Sequence, residues 1–138
     1  MAADERKLAH IGMIQNVVTR TATYSFQMKG WAIVLVSGLF GLGAARDRPL
    51  PFVLIAFIPV VALWALDAYY LREERLFRSL YNHVRQLTDD AVDYSMDTRP
   101  FRPIVDPPWR TALSITLIWF YGPLLATVVV ATSMAASQ

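Results

Sequence analysis

Between Leu50 and Leu87 a strongly apolar run passes into a charged, sided helix with no breaker at the join. The apolar part, Leu50–Leu71, carries one charged residue, Asp67. A soluble core helix rarely holds about 20 near-uniform apolar residues, whereas a membrane span requires them. The polar part, from Arg72 onward, places Phe77, Leu80, Tyr81, Val84 and Leu87 at i, i+3, i+4, i+7 spacing, the mark of a helix with one buried face. The join therefore predicts a membrane helix tied mechanically to a helix outside the membrane.

Two more stretches read as spans, Trp31–Ala45 and Thr111–Ala135. The hydrophobic fraction is 55% and the charged fraction 17%, against roughly 45–50% and 25% in soluble domains, and the surplus sits in these three stretches. The expected fold is an all-α membrane protein forming a single membrane domain over 1–138. A cytoplasmic amphipathic helix covers 4–29, followed by span 31–45, span 50–71, a cytoplasmic helix 72–95, a Pro-rich connector 98–108 and span 111–135. The short turn at 46–49 makes the first two spans an antiparallel hairpin with long cytoplasmic extensions.

Charge placement sets the expected topology. Arg6, Lys7, Arg20 and Lys29 precede the first span, and seven arginines lie between the second and third, from Arg72 to Arg110. None follows the third. The positive-inside rule then puts the N-terminus and 72–110 in the cytoplasm and the C-terminus outside. Tyr24, Trp31, Tyr69, Tyr70 and Trp109 fall at the inner interface, where aromatic residues gather. A cleaved signal is not expected, since the charged leader would run to nearly thirty residues.

Within 4–28, Leu8, Ile11, Gln15, Val18, Ala22 and Phe26 form a helical stripe, expected to pack on another helix rather than lie on the bilayer. Equal helical rise about a turn near residue 48 sets positions that sum to about 96 at the same level. Lys29 then faces Asp67. An intramembrane carboxylate is costly without a partner, so these two are expected to pair at the membrane edge, the alternative being Asp67 snorkelling alone. Asp106 is expected to cap the third span helix, with Pro107 at its first position.

The spans suggest further roles. Ser37, Gly38, Gly41 and Ala45 form a small-residue stripe for close helix packing, repeated by Thr127 and Ala131. Pro59 and Pro123 each free a carbonyl near mid-span, as a hinge or gate, or as tolerated kinks. The freed carbonyls are candidate partners for the polar atoms of Trp119 and Tyr121. A conduction path would be lined by Ser114, Thr116, Thr127 and apolar residues, closing by a hydrophobic constriction. Arg72, Arg75, Arg78, Tyr81 and Arg85 are candidate contacts for a cytoplasmic regulator or a nucleotide or oligonucleotide signal. Against this, seven acids share the 72–110 segment with its seven arginines.

Enzymatic signals are missing. The chain has no cysteine, no Gly-rich phosphate loop, no zinc-type cluster and no nucleophile elbow. His10 and His83 are solitary, and Glu73–Glu74 sit among arginines as helix ion pairs. No catalytic residue, cofactor or metal is expected, and the partners are membrane lipid and further copies of the chain.

Three segments resemble a family of small bacterial multi-pass membrane proteins of largely unknown function. They are Ile14–Arg20, Ser25–Trp31 and Leu66–Tyr81, the last reading Leu-Asp-Ala-Tyr-Tyr-Leu-Arg-Glu-Glu-Arg-Leu-Phe-Arg-Ser-Leu-Tyr. The resemblance covers residues 8–87 well and the third span loosely. It extends to channel-like membrane effectors of anti-phage defence systems of the Hailong type, which are paired with nucleotidyltransferases. It implies a homo-oligomeric ion channel or depolarising effector, held quiet by a cytoplasmic signal and gated through its cytoplasmic helices. Such effectors can carry a separate sensing domain, for which this chain offers only 72–110 and its N-terminal helix. The other expectation is a non-conducting membrane subunit or scaffold that recruits a cytoplasmic partner through 4–28 and 72–97.

Overall fold

The computed structural model describes residues 2–137, and they form helices joined by turns, with no strand among them. Helix α1 spans Ala2–Ala44, α2 Leu50–Ile55, α3 Phe57–Gln86, α4 Pro108–Ala112 and α5 Ile115–Ala136. Single 3-10 turns occupy Asp89–Ala91 and Arg99–Phe101. Three stretches are long and apolar enough to cross a membrane: α1, the α2–α3 pair and α5.

Helix α1 is one rod of 43 residues, about 65 Å at 1.5 Å per residue. No proline falls inside it, and Gly30 does not interrupt it. The 4–29 stretch and the 31–45 stretch are thus parts of one continuous helix, which closes at Ala44. Asp4 and Glu5 sit in its first turn, where the helix dipole favours negative charge. Gly43 is buried in the last turn of α1, and a Cβ there would lie 3.3 Å from that of Phe52. The missing side chain is what lets the end of α1 approach α2 so closely.

Pro59 divides the second apolar stretch. Lacking an N–H, it cannot bond the carbonyl of Ile55, and the helix is interrupted at Ala56 between α2 and α3. The Val60 amide still reaches Ala56 O at a long 3.5 Å. Pro123 behaves differently, for α5 continues through it.

Helix α1 lies along α2 and α3 through a series of level contacts. Gly43 meets Phe52, Lys29 meets Asp67, and Lys7 meets Leu87 and Asp89. Two apolar clusters result. In the spans, Ala32, Val36, Val53, Ala56, Val60 and Ala68 pack with Leu117, Tyr121 and Val128 of α5. At the charged end, Ile14 packs with Leu80, Val84 and Val92, flanked by Phe77, Tyr81, Leu87 and Phe101.

Several boundaries differ from expectation. The helix expected over 72–95 ends at Gln86, and Leu87 is extended. The chain turns back there so that Val92 and Phe101 cover Leu80 and Val84. The Lys7 ammonium donates to Leu87 O at 2.7 Å, supplying a cation at the helix C-terminus. The 98–108 connector holds a 3-10 turn and a further turn rather than being extended throughout. The third span does not run as one helix from Thr111. It breaks at Leu113–Ser114, and the long helix is Ile115–Ala136. Asp106 does not cap it. Pro107 holds the cap position of α4 without a side-chain cap bond, and the Asp106 carboxylate turns to Arg75 at 3.5 Å.

The stripe expected on the N-terminal helix is also displaced. His10, Ile14, Val18, Thr21 and Ser25 are buried, while Leu8 and Phe26 are exposed. The face turned to α3 is the more polar one: Ser25 and Lys29 bond Asp67 of α3, while Thr21 bonds its own helix at Val17 O and Val18 O.

Candidate functional site

Asp67 is the centre of the only ionic cluster within the spans among the described residues. Its helix places it between α1 and α5, and its side chain is fully buried. Three donors converge on it. Lys29 Nζ lies 2.6 Å from Oδ2, and the Tyr121 hydroxyl lies 3.1 Å from the same oxygen. Ser25 Oγ donates to Oδ1 and in turn accepts from Lys29 at 3.1 Å. Ser25 and Lys29 stand one turn apart on α1, so both reach a single carboxylate.

The surroundings fix this arrangement. The Tyr121 hydroxyl is shared with Leu63 O at 3.3 Å, and the ring stacks on Trp64, with centroids 5.8 Å apart and planes 3° from parallel. Trp64 Nε1 donates to Ala112 O at 2.9 Å. That carbonyl lies at the end of α4, where a helix leaves acceptors unpaired. The Phe120 ring lies 6.0 Å from Lys29 Nζ. One carboxylate and one ammonium thus cancel inside an apolar shell drawn from all three membrane helices. Each charge is hydrogen-bonded, which low-dielectric burial requires.

Sequence reasoning singled out Lys29 and Asp67 but missed Ser25 and Trp64. It assigned Tyr121 to a carbonyl freed by a proline, whereas its hydroxyl goes to Asp67 and Leu63. Trp119 is exposed. The available signal was spacing: Ser25 precedes Lys29 by one turn, on the same face of α1.

The candidate ligand-contact residues do not converge. Arg72 Nε donates to Asp106 O at 3.1 Å, Arg75 pairs with Asp106, and Arg78 pairs with Glu74 at 2.7 Å. Arg85 lies over the Tyr81 ring, and Tyr81 itself packs on the cluster of Leu80 and Val84. Nearby, Arg99 grips Asp97 in a local bidentate pair. The side-chain hydrogen bonds from Arg99 hold the Asp97 carboxyl down at about 2.

The small-residue stripe Ser37, Gly38, Gly41 and Ala45 is exposed, and no atom lies within 4 Å of where a Cβ on Gly38 or Gly41 would be. Contacts within the chain use Ala32, Val36 and Gly43 instead. Ala131 packs partly against the span cluster. On α5, Thr116, Pro123 and Thr127 are exposed, and their spacing of seven and eleven residues puts them on one face. Thr127 bonds its own helix at Pro123 O. Ser114 Oγ is buried without a partner. His10 packs edge-on against Tyr94, and His83 against Phe101. No group of three metal-binding side chains occurs among the described residues.

Comparison with known proteins finds no matching family model, curated protein or solved structure.

Proposed function

We propose that the protein is a homo-oligomeric ion channel or depolarising effector of the bacterial inner membrane, gated through the helices that project into the cytoplasm. One observation carries the reading. The only charge pair of the spans among the described residues lies within the protomer, its carboxylate fully buried, while α5 presents Thr116, Pro123 and Thr127 together on an outer face. A path for ions then runs between copies rather than through one chain. Hydroxyls and apolar side chains line it, and it closes by dewetting. The exposed Ser37–Gly41 stripe supports close packing of α1 on a neighbouring copy.

In this reading α1 and α2–α3 form an antiparallel hairpin whose charged end stands in the cytoplasm, since basic residues crowd that end. The C-terminus lies outside. The cluster of Ile14, Leu80 and Val84 receives the signal, and rigid α1 and α3 carry it to Ser25, Lys29 and Asp67. The interruption at Ala56 above Asp67 is the hinge. A role in anti-phage defence rests on the resemblance of residues 8–87, and the regulator would be a cytoplasmic protein or nucleotide signal.

A second reading is supported by a separate observation. Leu8, Met13 and Phe26 are exposed apolar residues on the projecting part of α1. A non-conducting subunit would recruit a cytoplasmic partner through such a surface.

Dye-reported ion flux in liposomes, together with oligomer mass in detergent, separates the two. The channel reading expects a multimer whose flux changes several-fold in Thr116→Val and Thr127→Phe. A multimer silent under every trigger but stably bound to a partner would replace it with the scaffold.

A further inference from the structure

A groove of about 620 Å³ opens between α3, α4 and the connector that precedes α4. Its lining is of two kinds. Ala65, Ala68 and Ala112 supply small apolar side chains, and Arg72 and Arg102 supply positive charge beside Tyr69 and Trp109 of the same lining. Along α3, Arg72 stands seven residues, about 10.5 Å, beyond Ala65. Glu73 is the acid on the lining.

Neither arginine is consumed by the fold. Arg72 spends only Nε, on a backbone carbonyl, so its two terminal nitrogens remain available. Arg102 has no ion-pair partner among the described residues. Position adds to this. Arg72 lies five residues beyond Asp67 on the same helix, about 7.5 Å further along the axis. That rise matches the depth of one headgroup layer, roughly 5–7 Å outside the hydrocarbon. The connector exposes Ile104 (75%), and α4 exposes Trp109 (62%). An exposed isoleucine and an exposed tryptophan five residues apart suit the bilayer interface rather than bulk water.

We infer that this groove binds one anionic phospholipid of the inner leaflet, its phosphate between Arg72 and Arg102 and an acyl chain along Ala65, Ala68 and Ala112. A zwitterionic lipid carries an ammonium that the two arginines repel. A free phosphate ester lacks the chain that the alanines accommodate. The occupant ties the connector, and through it α4, to α3 at the level of Trp64 and Ala112. The inference rests on the three-span reading but is independent of conduction.

The test is native mass spectrometry of the full chain in mild detergent, titrated with phosphatidylglycerol, phosphatidylcholine or glycerol 3-phosphate. One phosphatidylglycerol per chain is expected to stay bound, at least tenfold more tightly than phosphatidylcholine and undisplaced by excess glycerol 3-phosphate. Arg102→Gln, which breaks no side-chain hydrogen bond or ion pair among the described residues, is expected to weaken retention about fivefold, from ~1 kcal/mol per basic residue at an anionic surface. The double variant with Arg72→Gln is expected to weaken it about 25-fold. Ala65→Trp, which fills the apolar part of the groove and keeps both charges, is expected to abolish it. Equal retention of the two lipids, displacement by glycerol 3-phosphate, or unchanged binding in both Arg102→Gln and Ala65→Trp would overturn the proposal. Because the readout is bound lipid, a chain that conducts nothing can still pass, and a conducting chain can still fail.

Discussion

Lys29→Met and Asp67→Asn should be unequal in cost, and the reason is exposure. The Asp67 side chain is fully buried, whereas that of Lys29 is 19% exposed. Removing the lysine leaves a carboxylate in an apolar shell with only the Ser25 and Tyr121 hydroxyls. Breaking a buried pair in this way costs about 3–5 kcal/mol. Removing the carboxylate is milder. The carboxamide of Asp67→Asn still accepts from Ser25 or Tyr121, and the lysine can swing its ammonium to the headgroups. A loss of about 1.5–3 kcal/mol is expected there, the worth of hydrogen bonds to a charged group. In the double variant the stranded charge is gone, so the two costs should not add. Coupling of about 1.5–3 kcal/mol is expected. The assay is reversible unfolding of the detergent-solubilised protein in denaturing detergent, with all four chains at one neutral pH. Single effects that add to within about 0.5 kcal/mol would refute a coupled pair, as would an Asp67→Asn deficit larger than that of Lys29→Met.

Other consequences are open to measurement. Pro59→Ala restores a donor for Ile55 O and should join α2 to α3, raising protection of the 56–60 amides from hydrogen exchange; unchanged protection would mean that packing, not the proline, interrupts the helix. Lys7→Ala removes the ammonium at Leu87 O and Asp89. With side chains 16% and 38% exposed, the ion pair itself is worth about 1 kcal/mol or less. Faster exchange is expected over 84–91, with the spans unaffected. Arg99→Gln should return the Asp97 carboxyl from about 2 toward its ordinary 3.8, read by NMR titration. Because the folded value is the depressed one, the support this pair gives the folded chain is complete above 3.8 and lost as the pH falls toward 2.

The three apolar helices were legible because about twenty consecutive apolar residues have no other common use. The meeting of Lys29 with Asp67 follows from equal helical rise about a short turn, and the ions lie 2.6 Å apart. The same sum of positions, 96, holds for Lys7 and Asp89, although that pair was not foreseen. What stayed hidden depends on α5. Nothing local to Tyr121 or Trp64 says which side of its helix meets a carboxylate, and that rotation is set only when the third helix docks. The end of α3 at Gln86 was hidden for a similar reason. Its cause is the return of Val92 and Phe101 onto Leu80, a long-range contact. The buried face of α1 was misplaced because apolar residues lie on two of its sides. The polar side won, since Ser25 and Lys29 had somewhere to bond.

The contacts at Gly43, Lys29 and Lys7 have a mechanical corollary. They pin α1 to its neighbour at both ends and in the middle, like rungs spaced along two rails. A slide by a fraction of a residue would strain all three rungs at once, so small axial displacements are stiff. Splaying the charged ends opens only the rung at Lys7 and peels Ile14 from Leu80 while the ionic rung acts as a fulcrum. The soft coordinate of this molecule is therefore an opening angle, and the charged ends of α1 and α3 form the longer arm.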